Sequence, residues 1–222
     1  MGPRAPVRMF IKICGITRVE DARAAIEQGA SALGFVFWPS SPRFIDPARA
    51  RDIVAALPDE VMTVGVFVNQ PVRDVNEMAE RATLGAVQVH GDESVAYVQQ
   101  LTRPVIKAVV PERNGSAGQW PEYVTLLVDA HDPIRRGGTG AKADWSAAAA
   151  LARQRKVLLA GGLTPENVAE AIAEVQPFGI DVSSGVEATP GVKDHRRLAA
   201  LFAAVAAHTR GRESRLEVEE EK

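Results

Sequence analysis

The chain has 222 residues, of which 46% are hydrophobic and 24% charged, the proportions of an ordinary globular protein with room for one large core or two small ones. A formal net charge of −2 gives nothing that would draw the whole chain to nucleic acid or to an anionic membrane. One cysteine excludes an internal disulfide and suits a reducing cytoplasm. No apolar run approaches the ~20 residues of a membrane span, and the opening MGPRAPVRMF lacks the apolar core of a signal peptide. The histidines (His90, His131, His195, His208) show no ligand spacing, so no metal is expected.

Short apolar runs alternate with amphipathic stretches along the chain. The first run, 9–14 (MFIKIC), leads to a helical pattern over 18–29, where Val19, Ala22, Ala25 and Ile26 form one stripe and a glycine ends it. The second, 32–37 (ALGFVF), precedes 46–57, which opens with Asp46 and Pro47, a capping residue and a first-turn proline. Runs at 62–68, 86–90, 104–109, 124–130, 156–161 and 178–183 follow, with helical patterns at 71–82, 93–101, 144–153, 164–174 and 194–207. Thr164-Pro165 repeats the cap-and-proline start. The segment 110–123 carries Pro111, Gly115, Gly118 and Pro121, so the fifth helix is expected to be short or missing.

Runs this continuous in Val, Ile, Leu and Phe fit strands covered on both faces. Eight of them, each followed by a helix, predict an α/β fold: a single-domain (β/α)8 TIM barrel, with an open doubly wound sheet as the other arrangement that periodicity allows. The predicted organisation is an N-terminal extension over 1–8, the barrel over 9–207, and a charged, disordered tail over 208–222.

In a barrel the chemistry sits where strands end and helices begin. The first such loop begins Cys14-Gly15, where the thiol is either a pocket nucleophile or base, or a buried structural cysteine. The second presents Arg43 from a proline-stiffened stretch, a fork suited to a planar carboxylate or a plain surface arginine. The fourth offers His90, a proton carrier or a polar strand end. The sixth begins at Asp129, an acid that must face the pocket or be paired. It runs on into 137–140 (GGTG), whose match to G-x-G-x-x-A at Gly138, Gly140 and Ala143 is no dinucleotide fingerprint, because no strand directly precedes it and no acid follows at the ribose distance. The last two loops hold Gly161-Gly162 and Asp181-Val182-Ser183-Ser184-Gly185. Small residues after strands seven and eight fit phosphate held by backbone N–H groups, and this pair of loops favours the barrel over the open sheet.

The blocks 12–17 (KICGIT), 34–43 (GFVFWPSSPR), 64–70 (VGVFVNQ), 87–93 (VQVHGDE), 126–130 (LLVDA), 137–140 with Asp144-Trp145, 160–168 (AGGLTPENV) and 179–187 (GIDVSSGVE) with 190–194 (PGVKD) occur in order. Over residues 9–205 the chain resembles the phosphoribosylanthranilate isomerases of tryptophan biosynthesis. The resemblance implies an eight-stranded barrel and a cofactor-free, metal-free isomerase; the sequence leaves monomer and homodimer both open. Its partner would be a small phosphorylated substrate, N-(5-phosphoribosyl)anthranilate, rearranged to an aminodeoxyribulose phosphate. By matching motifs it implies Asp129 as general acid and Cys14 as general base, with Arg43 on the anthranilate carboxylate. His90 and Asp181 would face the sugar, and Gly140, Gly161, Gly162, Ser183, Ser184 and Gly185 the phosphate. Ala141 stands where many members carry a basic residue, and Lys142 comes one later. The rival readings are the related barrel isomerase of histidine biosynthesis, a dual-substrate relative, and a non-catalytic phosphate-binding barrel.

Overall fold

The computed structural model describes residues 9–109, 117–129 and 145–220. Eight parallel strands close into a barrel in chain order: β1 (Phe10–Cys14), β2 (Ala32–Val36), β3 (Met62–Phe67), β4 (Ala86–Val89), β5 (Val105–Val109), β6 (Thr125–Asp129), β7 (Val157–Ala160) and β8 (Gly179–Val182). Closure leaves no unpaired strand edge. Each strand alternates its side chains between two faces. Ile11, Ile13, Leu33, Phe35, Val87, Val105, Leu126, Leu159 and Ile180 point out into the large core beneath the helices. Ala32, Val64, Ala86, Ile106, Leu127 and Leu158 fill the barrel interior. This double burial is why the strands read as continuous apolar runs.

The helices are α1 (Val19–Gln28), α2 (Pro47–Val54), α3 (Val72–Arg81), α4 (Val95–Val98), α5 (Ser146–Ala152), α6 (Val168–Val175) and α7 (His195–Glu220). Asp46 caps α2, its carboxylate accepting from the N–H groups of Ala48 and Arg49. Gly29 ends α1 at φ 102°, a left-handed turn that a side chain would strain. Between β5 and β6 the described residues hold only a 3-10 turn, Ala117–Gln119, as the prolines and glycines predict. Trp120 plugs the surface there, and the Arg155 guanidinium donates to the carbonyls of Trp120, Pro121 and Val124. One arginine thus satisfies backbone that a helix would have satisfied internally.

Three features depart from the expected elements. Thr164-Pro165 starts a hydrogen-bonded turn rather than a helix: Asn167 Oδ1 accepts from the Thr164 N–H at 2.8 Å, and α6 begins at Val168. After β8 the chain adds a 3-10 turn (Ser184–Val186) and a hairpin of β9 (Glu187–Thr189) and β10 (Val192–Lys193), reversing at Pro190-Gly191 with Gly191 at φ 81°. Finally, the backbone continues as α7 to Glu220, past the boundary expected at 207. The extension, RESRLEVEE over 212–220, consists mostly of good helix formers, which favour continuing the helix. Among the described residues no helix is long and apolar enough to cross a membrane.

Candidate active site

At the C-terminal mouth of the barrel the interior changes from apolar to charged. Lys12 and Cys14 on β1 share a face and point inward, and the Lys12 side chain is fully enclosed (0% exposed). A buried ammonium requires a partner. Asp181 supplies it from the register position opposite on β8, with Nζ–Oδ1 2.8 Å. Burial pushes the Lys12 ammonium toward neutrality, but Asp181 and then Cys14 outweigh it and hold Lys12 above the ordinary lysine value. The Cys14 thiol is pushed up by burial and pulled back by Lys12, ending above the ordinary cysteine range.

Across the mouth, His90 Nε2 lies 3.9 Å from Asp129 Oδ2, and His90 Nδ1 is 3.2 Å from Gln88 Nε2. Desolvation at the barrel mouth lowers the His90 pKa more than Asp129 raises it, leaving the ring below the ordinary histidine value. Asp129 ends β6 half-buried, at the same end of the barrel as Cys14.

Arg43 is not held out as an open fork. Its Nε and Nη2 grip Glu187 at 2.9 and 2.6 Å, and this raises the guanidinium's pKa. Glu187 also accepts from Lys193 Nζ at 2.9 Å. Burial pushes the Glu187 carboxyl up, but Arg43 and Lys193 overcome it and keep it below the usual carboxylate range. Lys193 donates further to the carbonyls of Cys14 and Ser183. The hairpin therefore ties the ends of β1 and β8 together while orienting Arg43 beside Gly15, whose site for a Cβ is taken by the Arg43 chain and by Ser183 Oγ.

The last two loops pack on each other. Gly161 and Gly162 take successive positive φ values of 88° and 63°, a conformation only glycine adopts cheaply. Gly185 is pressed so close to the Leu163 carbonyl that no side chain would fit. Ser183 Oγ is buried without a hydrogen-bond partner among the described residues, beside the backbone of Gly15.

Of the residues singled out in the sequence, Cys14, Arg43, His90, Asp129, Gly161, Gly162, Asp181, Ser183, Ser184 and Gly185 all lie at this one mouth. Gly140 and the GGTG stretch lie outside the described residues. Sequence reasoning missed Lys12, Glu187 and Lys193. Lys12 interrupts an apolar strand, which is a readable signal. The Pro190-Gly191 turn between two short extended pieces is a hairpin signal. Among the described residues no group of three His, Cys, Asp or Glu side chains could hold a metal ion.

A family model for N-(5'phosphoribosyl)anthranilate (PRA) isomerase matches residues 11–204. The N-(5'-phosphoribosyl)anthranilate isomerase of Geotalea uraniireducens (strain Rf4) is 50% identical over 186 residues, 83% of this chain and 92% of that one. The crystal structure of phosphoribosyl anthranilate isomerase from Thermotoga maritima superposes with a TM-score of 0.83 at 42% identity, covering 90% of this chain and all of its own (100%). Another, in complex with reduced 1-(o-carboxyphenylamino)-1-deoxyribulose 5-phosphate, gives 0.79 at 40% identity with coverage of 90% and 100%. With the barrel, the paired final loops and matches along nearly the whole length, the chain belongs to the family of N-(5'-phosphoribosyl)anthranilate isomerases.

Proposed function

We propose that the protein converts N-(5-phosphoribosyl)anthranilate to 1-(o-carboxyphenylamino)-1-deoxyribulose 5-phosphate, with Asp129 as general acid and Cys14 as general base. The observation that carries this reading is placement: an inward thiol ending β1 and a carboxyl ending β6 share one barrel mouth with the glycine and serine loops after β7 and β8.

The step is an Amadori rearrangement. Asp129 gives a proton to the furanose ring oxygen, the C1′–O bond breaks, and the anilino nitrogen's lone pair forms a Schiff base at C1′. That cation acidifies the proton on C2′. Cys14, as thiolate, removes it, and the C–H electrons become the C1′–C2′ double bond of an enolamine. Tautomerisation returns a proton to C1′ and leaves the ketone at C2′. An acid and a base placed on opposite sides of the sugar each supply about 10²–10⁴-fold. The phosphate rests on the N–H groups of Gly161 and Gly162 with Ser183, Ser184 and Gly185, and Gly140 belongs to the same set by motif. Arg43 faces the anthranilate carboxylate, and His90 and Asp181 face the sugar.

The test is optical. Freshly prepared phosphoribosylanthranilate loses its anthranilate emission when the purified protein is added. Unchanged emission with folded protein would overturn the assignment and turn attention to the sugar-phosphate isomerase of histidine biosynthesis.

A further inference from the structure

The geometry points to Lys12 as the positioning residue that favours the thiolate of Cys14 against the burial that opposes it, in a slot left open by Gly34 on the next strand. This rests on Cys14 being the base of the proposed reaction and supplies what that reading lacks, a source of the thiolate.

Three observations converge. The first is space. A Cβ on Gly34 would lie 2.7 Å from Cys14 Sγ and 3.0 Å from Lys12 Nζ, so both heads crowd one point on the neighbouring strand. Gly34 is also the register partner of Cys14, and any larger residue there would push sulfur and ammonium apart. The second is hydrogen-bond capacity. An ammonium has three donors. Asp181 Oδ1 takes one at 2.8 Å, which leaves two for other acceptors on the side where the sulfur lies.

The third is charge. Around Cys14, the described residues bring Lys12 from β1, Asp181 from β8, Lys193 and Glu187 from the β9–β10 hairpin, and Arg43 from the loop after β2. β2 itself brings only Gly34 and Val36 against the thiol. His90 and Asp129 stand farther off across the mouth and face each other. The near cluster thus holds three cations and two carboxylates, and a thiolate on Cys14 makes it neutral. Glu187 is shared by Arg43 and Lys193, while Lys12 is the cation whose head meets the sulfur. Burial raises the cost of a lone thiolate, and Lys12 offsets that cost where the proton must leave.

The chain's single cysteine makes the test direct. Thiolate absorbance near 240 nm, measured on the whole protein against a Cys14→Ser baseline, reports one group. Lys12→Met is expected to raise the titration midpoint by about 1–3 pH units, the range for losing an adjacent opposite charge. The acid limb of kcat/KM should move the same way, and Lys12→Arg should restore part of both. Because Lys12→Met leaves Asp181 buried and unpaired, the same step is also made in an Asp181→Asn background, where both charges are gone and folding does not depend on the pair. A midpoint that stays in place on losing Lys12, in whichever background folds, overturns the proposal. The two readings separate cleanly. Full turnover by Cys14→Ala would remove the base assignment while the titration still decided Lys12's hold on the sulfur. A flat titration with an inactive Cys14→Ala would remove Lys12 alone.

Discussion

Two lysines inside barrel strands form buried pairs with carboxylates at nearly equal length, Lys12–Asp181 at 2.8 Å and Lys107–Glu93 at 2.7 Å. Each joins a lysine inside a strand to an acid from a neighbouring part of the barrel, and both lysines are almost wholly enclosed. They face opposite ways. Lys107 shares the outward face of β5 with Val105 and Val109, beneath the Trp120 ring at 5.7 Å. Its partner Glu93 accepts the N–H groups of Asn69 and Gly91, and Lys107 donates to the Gly91 carbonyl. That pair fastens the loops after β3 and β4. Among the described residues Lys12–Asp181 binds no loop backbone and instead lies beside a thiol. Buried charge alone therefore does not mark a site; what the charge faces does.

The largest effects are expected inside the barrel. Cys14→Ala and Asp129→Asn should each lower kcat by about 10²–10⁴ with KM little changed, since both act in the transition state. Steady-state kinetics at saturating substrate checks this, and near-normal turnover by either variant would strip that residue of its role.

On the outer pair the expected loss is stability. Glu93→Gln should cost about 3–5 kcal/mol, the range for leaving one partner of a buried pair uncompensated, read from denaturant midpoints, with kcat of the folded fraction unchanged. The pH dependence has a definite sign. Burial raises the Glu93 carboxyl, but Lys107 and the Asn69 N–H outweigh it, so its folded pKa is depressed. Its stabilisation is thus complete above the unfolded value of about 4.3 and lost as pH falls through the folded value. Glu93→Gln should flatten that acid limb. A kcat change without a stability change would break the distinction between the two pairs.

The barrel was legible because its strands are buried on both faces, and a two-sided apolar run needs no knowledge of its neighbours. Cys14, Asp129 and the final two loops were legible because position on a barrel strand assigns them to one mouth. What escaped was pairing. Nothing in the local sequence around Arg43 announces Glu187, 144 residues away, and the Glu187–Lys193 hairpin is too short and irregular to show a period-two pattern. Lys12 stood within the first motif, yet only closure of β1 on β8 brings Asp181 opposite to it.

Arg43 lies between the two extremes, half-buried and already engaged by Glu187. Arg43→Ala should raise KM for phosphoribosylanthranilate by about tenfold or more, because a hydrogen bond to a charged group is worth about 1.5–3 kcal/mol, while kcat falls much less. An unchanged KM would take Arg43 off the substrate carboxylate and leave it a strut for the hairpin.

The smallest effect belongs to a third pair at the same mouth. Arg197 Nη2 lies 3.2 Å from Glu166 Oε2 in the open. The Glu166 carboxyl sits below the usual range first through the Thr164 hydroxyl and its own backbone N–H, with Arg197 contributing less. An ion pair surrounded by water exchanges one set of solvated partners for another and is screened by salt. Glu166→Gln keeps the size of the side chain and removes only its charge. The melting midpoint should therefore stay where it is in both low and high salt. If it fell as far as for Glu93→Gln, enclosure would not be what gives these pairs their weight, and the contrast between Lys12 and Lys107 would have to rest on geometry alone.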